Sequence, residues 1–443
     1  MKKGKTSNIS SDLPLLVLIC SYFVIDAFPI ARFIFNQWIS WLIVGTFFIY
    51  LLTSKSQQIL LIFKKSNLLL LSIGLFVTTF HLFSIFFFEY GSAYSWNLYR
   101  WLRAIPFIFF GLVSASSSKN LYVTSLTIAI SNTVSLLINL NYSLAYEVEN
   151  GISAGRGYHS AALDFDAATS GVRGWAGYQA LVYVFILSIG FLLVSPKKPR
   201  FSRAIILACV ITTSLSIVTS SFLTAFICLM ISVLIFVVFN FNTKKFLFSS
   251  MLLSLIILGI YVAYQIFISY DIPGFSQILV RLTNVWEGVN GGVGFDLDES
   301  GKGRTFLMQI SWDSFNSSPL IGVGAYMGQY DKVGGHSNMI DWLAQFGIAG
   351  IVGPSAILGY CVYSSFQILK SSSNYLRNLG KSLLCFWLVF IVNTYMGYAF
   401  LEPSIDTYSF FAIGLTAGLS QLIYADRLPE SIGGDKYQLE NTR

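Results

Sequence analysis

The stretch AIILACVITTSLSIVTSSFLTAFICLMISVLIFVVFNFNT, residues 204–243, carries no charged side chain. A helix needs about 20 mainly apolar residues to span a bilayer, so this stretch is long enough for two passes. Basic residues lie directly outside it, with Arg203 before it and Lys244 and Lys245 after it. The small polar run at residues 219–221 predicts a tight turn between the two passes.

The composition of the whole chain indicates the same class of protein. Of its 443 residues, 55% are hydrophobic and 11% are charged, and the mean hydropathy is +0.66. Soluble domains average about 25% charged residues, whereas a bilayer can serve as the apolar phase for such a chain. We therefore expect an all-α, polytopic membrane protein. The charge of +7 is distributed as membrane topology requires, and we expect no nucleic-acid partner.

Hydropathy predicts about 12 transmembrane helices in a single integral membrane domain, residues 1–443. The first is interpreted as an uncleaved helix, because no small-residue cleavage site follows it. The predicted spans cover approximately residues 13–31, 34–53, 67–88, 98–118, 120–140, 175–195, 204–220, 222–242, 246–269, 342–369, 382–401 and 405–425.

The basic residues set the orientation of these helices. With both termini in the cytoplasm, the inner segments carry 19 of the 28 Lys and Arg residues, as the positive-inside rule requires. The inner set holds 14 Lys and 5 Arg, whereas the outer set holds 2 Lys and 7 Arg. Arginine binds phosphate and carboxylate groups bidentately, which favours an anionic ligand outside. The alternative is chance, with these arginines pairing to nearby acidic residues.

Two outer segments, residues 141–174 and 270–341, are too long to be simple turns. Loops longer than about 15 residues are usually functional or disordered. In the larger loop, Met308, Trp312 and Phe315 recur at helical spacing, which predicts a helix that lies on the membrane surface.

A glycine-rich turn and a histidine follow this predicted helix. Glycines in the run SPLIGVG, residues 318–324, allow a backbone to approach a phosphate closely. His336 precedes a long apolar helix, whose N-terminal dipole favours a neutral imidazole that can act as a base. It could accept a proton from a sugar hydroxyl, while Arg304 neutralises a pyrophosphate leaving group. The alternatives are a helix-capping His336 and an Arg304 that binds lipid headgroups.

This part of the chain resembles the O-antigen polymerase/ligase family, which includes the Wzy-type polymerases and WaaL-type ligases of bacterial surface polysaccharides. The close resemblance covers about 50 residues, and the helix count, the orientation and the position of the large loop extend it. The matching residues are Gly303-Arg304, Trp312, Ser318-Pro319-Leu320-Ile321-Gly322-Val323-Gly324, His336-Ser337-Asn338, Leu343 and Phe346-Gly347-Ile348-Ala349-Gly350.

The resemblance implies a metal-independent glycosyltransferase of the GT-C type without a cofactor, which acts on undecaprenyl-pyrophosphate-linked glycans. His336 would be the base that activates the acceptor hydroxyl, and Arg304 would lie near the donor pyrophosphate. The expected location is the bacterial inner membrane, and a chain-length regulator is a possible partner.

One arginine of the family pattern is missing. The family often carries T-x-S-R in an outer turn, and here residues 219–222 read TSSF. Other outer arginines could supply the second phosphate contact, although bilayer anchoring is the alternative for the pair Arg100 and Arg103. The candidates are Arg100, Arg103, Arg156, Arg173 and Arg281.

Three functions remain open from the sequence. A polymerase would transfer the growing glycan to a lipid-linked repeat unit, and a ligase would transfer it to lipid A core or another acceptor. The missing arginine at Phe222 favours the polymerase. A transporter or flippase of an anionic substrate is the third possibility, but transporters place charges near mid-membrane, and here the polar residues gather on the outer side.

Overall fold

The computed structural model describes residues 13–31, 39, 41–53, 105–150, 175–194, 200–220, 222–240, 304–324, 331–335, 337–397 and 403–427. All regular secondary structure within these ranges is helical. The helices are α1 (Leu13–Ala27), α2 (Trp41–Thr53), α3 (Ile105–Ala115), α4 (Ser118–Asn150), α5 (Trp175–Val194), α6 (Arg200–Thr219), α7 (Leu223–Asn240), α8 (Arg304–Ser317), α9 (Asn338–Leu369), α10 (Asn374–Met396) and α11 (Pro403–Arg427).

The lengths of these helices fit a polytopic membrane protein. Four apolar segments are long enough to cross a bilayer, and five shorter apolar helices accompany them in the described ranges. The four are Ser118–Leu140, Arg200–Thr219, Asn338–Leu369 and Asn374–Met396. The all-α prediction is therefore confirmed for the described part of the chain. The predicted spans 67–88 and 246–269 lie outside it, so the count of 12 stays a prediction.

The predicted turn in the uncharged stretch is confirmed. Helix α6 ends at Thr219 and α7 begins at Leu223. Small hydroxyl residues stabilise the turn, since the backbone N–H of Ser220 donates to the carbonyl of Ser216 (3.1 Å) and the Ser220 hydroxyl donates to the carbonyl of Ile217 (2.7 Å). The freed carbonyls at the end of α6 thus have partners close by.

Several helix boundaries differ from the hydropathy windows. Helix α4 continues through Asn150, ten residues into the predicted outer loop 141–174. Helix α10 begins at Asn374 instead of residue 382 and ends at Met396 instead of residue 401. The physical reason is that polar ends of a helix, here with Arg377 and Lys381 in α10, extend beyond the apolar segment that hydropathy detects.

Helix α5 forms the centre of the bundle. Every residue from 178 to 188 is buried, as expected for a helix that is apolar on all sides. It packs against α4, α6, α7, α10 and α11. At its C-terminal half, Gly190 leaves no room for a Cβ against Ser382 of α10, whose hydroxyl donates to the carbonyl of Ile186 (2.8 Å). Small residues allow this close approach between the two helices.

Candidate functional site

Helix α9 contains a break at Gly347. Its backbone has φ 62° and ψ −163°, and two helical segments meet there. A break of this kind removes the regular i to i−4 partners of the residues on both sides. Inside a membrane-embedded bundle such groups need new partners, because no water replaces them at low cost.

The glycine-rich segment 318–324 supplies these partners. It lies against the break and makes four backbone hydrogen bonds, two in each direction. Val323 N donates to Ala344 O (2.8 Å), Gly324 N to Gln345 O (3.1 Å), Ile348 N to Pro319 O (2.9 Å) and Ala349 N to Leu320 O (3.1 Å). The SPLIGVG run therefore supplies hydrogen-bond partners to the backbone groups on both sides of the break.

Glycine is required on both sides of this contact. Gly322 and Gly347 have φ values of 72° and 62°, in the left-handed region that favours glycine. A Cβ on Gly322 would lie 2.3 Å from backbone atoms of Gln345 and Phe346, and one on Gly347 would lie 2.4 Å from the carbonyl carbon of Leu320. Two backbones thus touch directly, and any side chain would force them apart.

A buried carboxylate organises the loop in front of α9. Asp341 is 1% exposed. Its Oδ1 accepts hydrogen bonds from the Ser311 hydroxyl (2.6 Å) and the Gly335 N–H (3.3 Å), and its Oδ2 accepts one from the Ser337 N–H (2.9 Å). Ser337 also caps α9, because its hydroxyl accepts from the N–H of Ile340 (3.4 Å). The loop is therefore fixed on both sides of position 336.

The same loop lies directly on α8. The Gly334 N–H donates to the Ser311 hydroxyl (2.9 Å), and a Cβ on Gly334 would lie 1.9 Å from the carbonyl oxygen of Leu307. Helix α8, residues 333–335 and the start of α9 hence form one packed unit, which we name the α8–α9 unit.

Two predicted site positions, 304 and 336, fall within or beside the α8–α9 unit in the sequence. Arg304 is the first residue of α8. His336 itself lies outside the described residues, while both of its neighbours are held by Asp341.

The other predicted arginines are not tested by the structure. Arg100, Arg103, Arg156, Arg173 and Arg281 lie outside the described residues. The position where the family pattern expects an arginine holds Phe222, whose ring packs against Tyr178 with 5.5 Å between centroids. An aromatic contact therefore replaces a charged group at this turn.

From the sequence, no role was assigned to Asp341 or to Ser311. A usable signal was present, because an acidic residue in the first turn of a helix can bind backbone N–H groups that precede it. The serine gave no comparable signal, since its contact depends on the packing of α8.

An apolar groove of about 620 Å³ runs along α9 and α10. It begins at Asn338 and Met339, directly after the loop, and extends to Phe366. Gly359 faces open space, since no atom lies within 4 Å of the position that a Cβ would take there. The remaining lining residues are Trp342, Ile351, Pro354, Ser355, Leu358, Val362, Tyr363, Leu384, Ile391 and Thr394.

Part of the chain matches the sequence model of a known protein family. The sequence model of the O-antigen ligase family matches residues 204–355, a range that includes the turn at 219–222, the SPLIGVG run and Asp341. This match confirms the predicted resemblance to the O-antigen polymerase/ligase family and supports a function of that general type. No curated protein matches the chain.

Replacing either contact glycine by alanine is expected to destabilise the protein. The positive φ alone costs about 1–3 kcal/mol in a residue with a Cβ, and the backbone contact adds to that cost. Thermal unfolding in detergent should show a lower Tm for Gly322→Ala and Gly347→Ala. Gly45→Ala is the control, because nothing lies within 4 Å of its Cβ position. Equal Tm values for all three variants would contradict the tight contact.

Asp341→Asn is expected to lower Tm, because one oxygen acceptor becomes an NH₂ donor that faces other donors. Leaving a buried donor unsatisfied costs about 1–3 kcal/mol. The control is Asp313→Asn on the same α8–α9 unit, where the exposed carboxylate accepts from Gln309 (2.7 Å); surface changes usually stay within about 0.5 kcal/mol. A similar Tm for the two variants would show that the buried carboxylate does not hold the loop.

Proposed function

We propose, from the resemblance that the family match confirms, that the chain is a polymerase of a bacterial surface polysaccharide such as O-antigen, capsule or exopolysaccharide. It would transfer a glycan from undecaprenyl pyrophosphate to a lipid-linked repeat unit, without a metal ion. The observation that carries the proposal is the α8–α9 unit, which holds the neighbours of position 336 at the beginning of a long apolar groove.

In the proposed reaction, His336 acts on the acceptor and Arg304 acts on the donor. His336 accepts the proton of the acceptor hydroxyl, and the hydroxyl oxygen forms a bond to the anomeric carbon of the donor glycan. The bond between that carbon and the pyrophosphate oxygen breaks, and Arg304 at the start of α8 neutralises the leaving pyrophosphate. A buried carboxylate, Asp341, positions the base through its two neighbours and does not contact substrate.

The groove supports a lipid-linked donor. It is lined almost entirely by apolar side chains, so it matches a polyisoprenoid chain better than a sugar or a phosphate. Its first residues, Asn338 and Met339, follow position 336 directly. A lipid tail in the groove would therefore leave its pyrophosphate beside the loop.

The turn between α6 and α7 favours a polymerase over a ligase. Ligases more often keep the T-x-S-R arginine, and here Phe222 packs on Tyr178 instead. The proposed location is the bacterial inner membrane, with cytoplasmic termini and the α8–α9 unit outside. A chain-length regulator is a proposed partner.

His336→Ala is expected to abolish polymerisation at normal expression, because the alanine side chain cannot accept the hydroxyl proton. The measurement is a gel of surface glycan from a deletion strain that expresses each variant. His159→Ala in the other outer loop is the control and should restore wild-type chain lengths. Single attached repeat units support a polymerase, and no attached glycan with polymer on the lipid carrier supports a ligase. Units trapped inside support a transporter, and wild-type chain lengths contradict the catalytic role of His336.

Gly359→Phe is expected to weaken the use of full-length donor by about tenfold in kcat/KM, since the ring fills the groove at its open side. A donor with a short prenyl tail does not reach Gly359, and its kcat/KM should stay unchanged. Gly45→Phe is the matched control, because its Cβ position is equally open on α2. An equal loss with both donors, or no loss at all, contradicts a lipid tail in this groove.

A further inference from the structure

A buried polar cluster lies at the end of the bundle where α9 begins. Gly397, at the end of α10, is its centre, because its carbonyl accepts a hydrogen bond from Asn338 N (3.1 Å). A Cβ on Gly397 would lie 3.4 Å from Gln179 Nε2 of α5 and 3.9 Å from Thr224 Cγ2 of α7. Asn393 belongs to the same group, since its carbonyl accepts from Gly397 N (2.9 Å). We name these residues the Gln179 cluster.

Amide atoms in this cluster lack partners. Among the described residues, Gln179 Oε1 and Asn393 Oδ1 are buried without a hydrogen bond, although the other end of the Asn393 amide donates to the Tyr183 hydroxyl (2.8 Å). Rotating the Asn393 amide by 180° would pair Oδ1 with that hydroxyl and leave Nδ2 unpaired instead. A buried polar atom without a partner costs about 1–3 kcal/mol, so a bound hydroxyl group that paired with these atoms would remove that cost.

Unpartnered atoms are concentrated at this end of the bundle. Of the five such side chains in the described ranges, Gln179 lies near the N-terminal end of α5, and Ser216 and Asn393 lie near the C-terminal ends of α6 and α10. Polar groups inside a membrane protein are costly and usually functional. Gln179 keeps 7% of its surface accessible, so a change of its flexible torsions can present the amide to a bound molecule.

The chemistry of the cluster selects a neutral, hydroxyl-rich ligand. An amide offers both a donor and an acceptor, which matches a sugar hydroxyl. Pyrophosphate would require Arg or Lys, and the cluster contains neither. The neighbouring turn supports this choice, because Phe222 brings an aromatic ring to the place where the family pattern has a phosphate-binding arginine.

The loop around position 336 separates the cluster from α8. On one side, Gly334 touches α8, the helix that begins with Arg304. On the other side, Asn338 binds Gly397 in the Gln179 cluster. In the proposed reaction, Arg304 at the start of α8 serves the donor pyrophosphate. The acceptor sugar is therefore expected on the other side of the loop, at the Gln179 cluster.

We propose that Gln179, with Asn393 in the same cluster, binds hydroxyl groups of the acceptor sugar. This inference rests on the proposed glycan transfer and adds the acceptor site to it. Gln179 then determines which acceptor is used, whereas Arg304 serves the donor.

The test uses the purified full-length protein in lipid nanodiscs, a saturating lipid-linked repeat unit as donor and a soluble repeat-unit glycoside as acceptor. Gln179→Leu is expected to raise the KM for the acceptor about tenfold, the effect of one lost hydrogen bond, with kcat within about twofold. Gln421→Leu is the matched control, because Gln421 also has an unpartnered buried amide atom but lies near the opposite end of α11. It should leave both constants unchanged.

Acceptors that lack single hydroxyl groups separate binding from a structural role. For the deoxy acceptor that lacks the bound hydroxyl, Gln179→Leu should no longer change the KM. If Gln179→Leu has a lowered Tm, Gln179→Asn, which keeps the amide on a shorter side chain, is measured in the same way. An unchanged KM, or a lower kcat with every acceptor alike, overturns the acceptor site. If the wild-type protein transfers no glycan at all, the proposed function itself fails.

Discussion

The break in α9 at Gly347 is the constraint on which the candidate site depends. A helix in a membrane protein cannot leave its backbone groups without partners, and the segment 318–324 provides four hydrogen bonds to the broken region. This pairing joins the chain after α8 to the first half of α9. It explains why a glycine-rich run and a glycine in a helix occur together in this sequence, since both backbones need the same narrow contact.

Asp341 extends this order from the break to the loop. Its carboxylate connects Ser311 of α8 with the residues on both sides of position 336. Charge-assisted hydrogen bonds of this kind are stronger than neutral ones. They fix the loop in front of α9 to α8, the helix of 14 residues that precedes the glycine turn. Asn338, which follows this loop in the sequence, lines the groove along α9 and α10. Its backbone N–H also binds Gly397 of the Gln179 cluster. The proposed donor lipid and acceptor sugar would therefore bind on neighbouring surfaces.

The sequence predicted the parts of this arrangement that depend on local chemistry. Hydropathy predicted the helical membrane class and the turn after Thr219, and residue spacing predicted the helix at Met308, Trp312 and Phe315. It did not predict that α10 begins at Asn374, because polar turns continue a helix beyond its apolar part. Nor could it assign partners to the glycine run or to Ser311, which depend on contacts between separate helices. Gln179 escaped notice because it lies in a helix whose pattern is otherwise apolar.

A structure of the full-length protein with a bound undecaprenyl-pyrophosphate-linked glycan tests the central claim most directly. The account predicts density for pyrophosphate between the start of α8 and position 336, with the lipid tail in the groove that runs from Met339 to Phe366. Pyrophosphate density away from the α8–α9 unit, or a lipid tail on another face of the bundle, would contradict it.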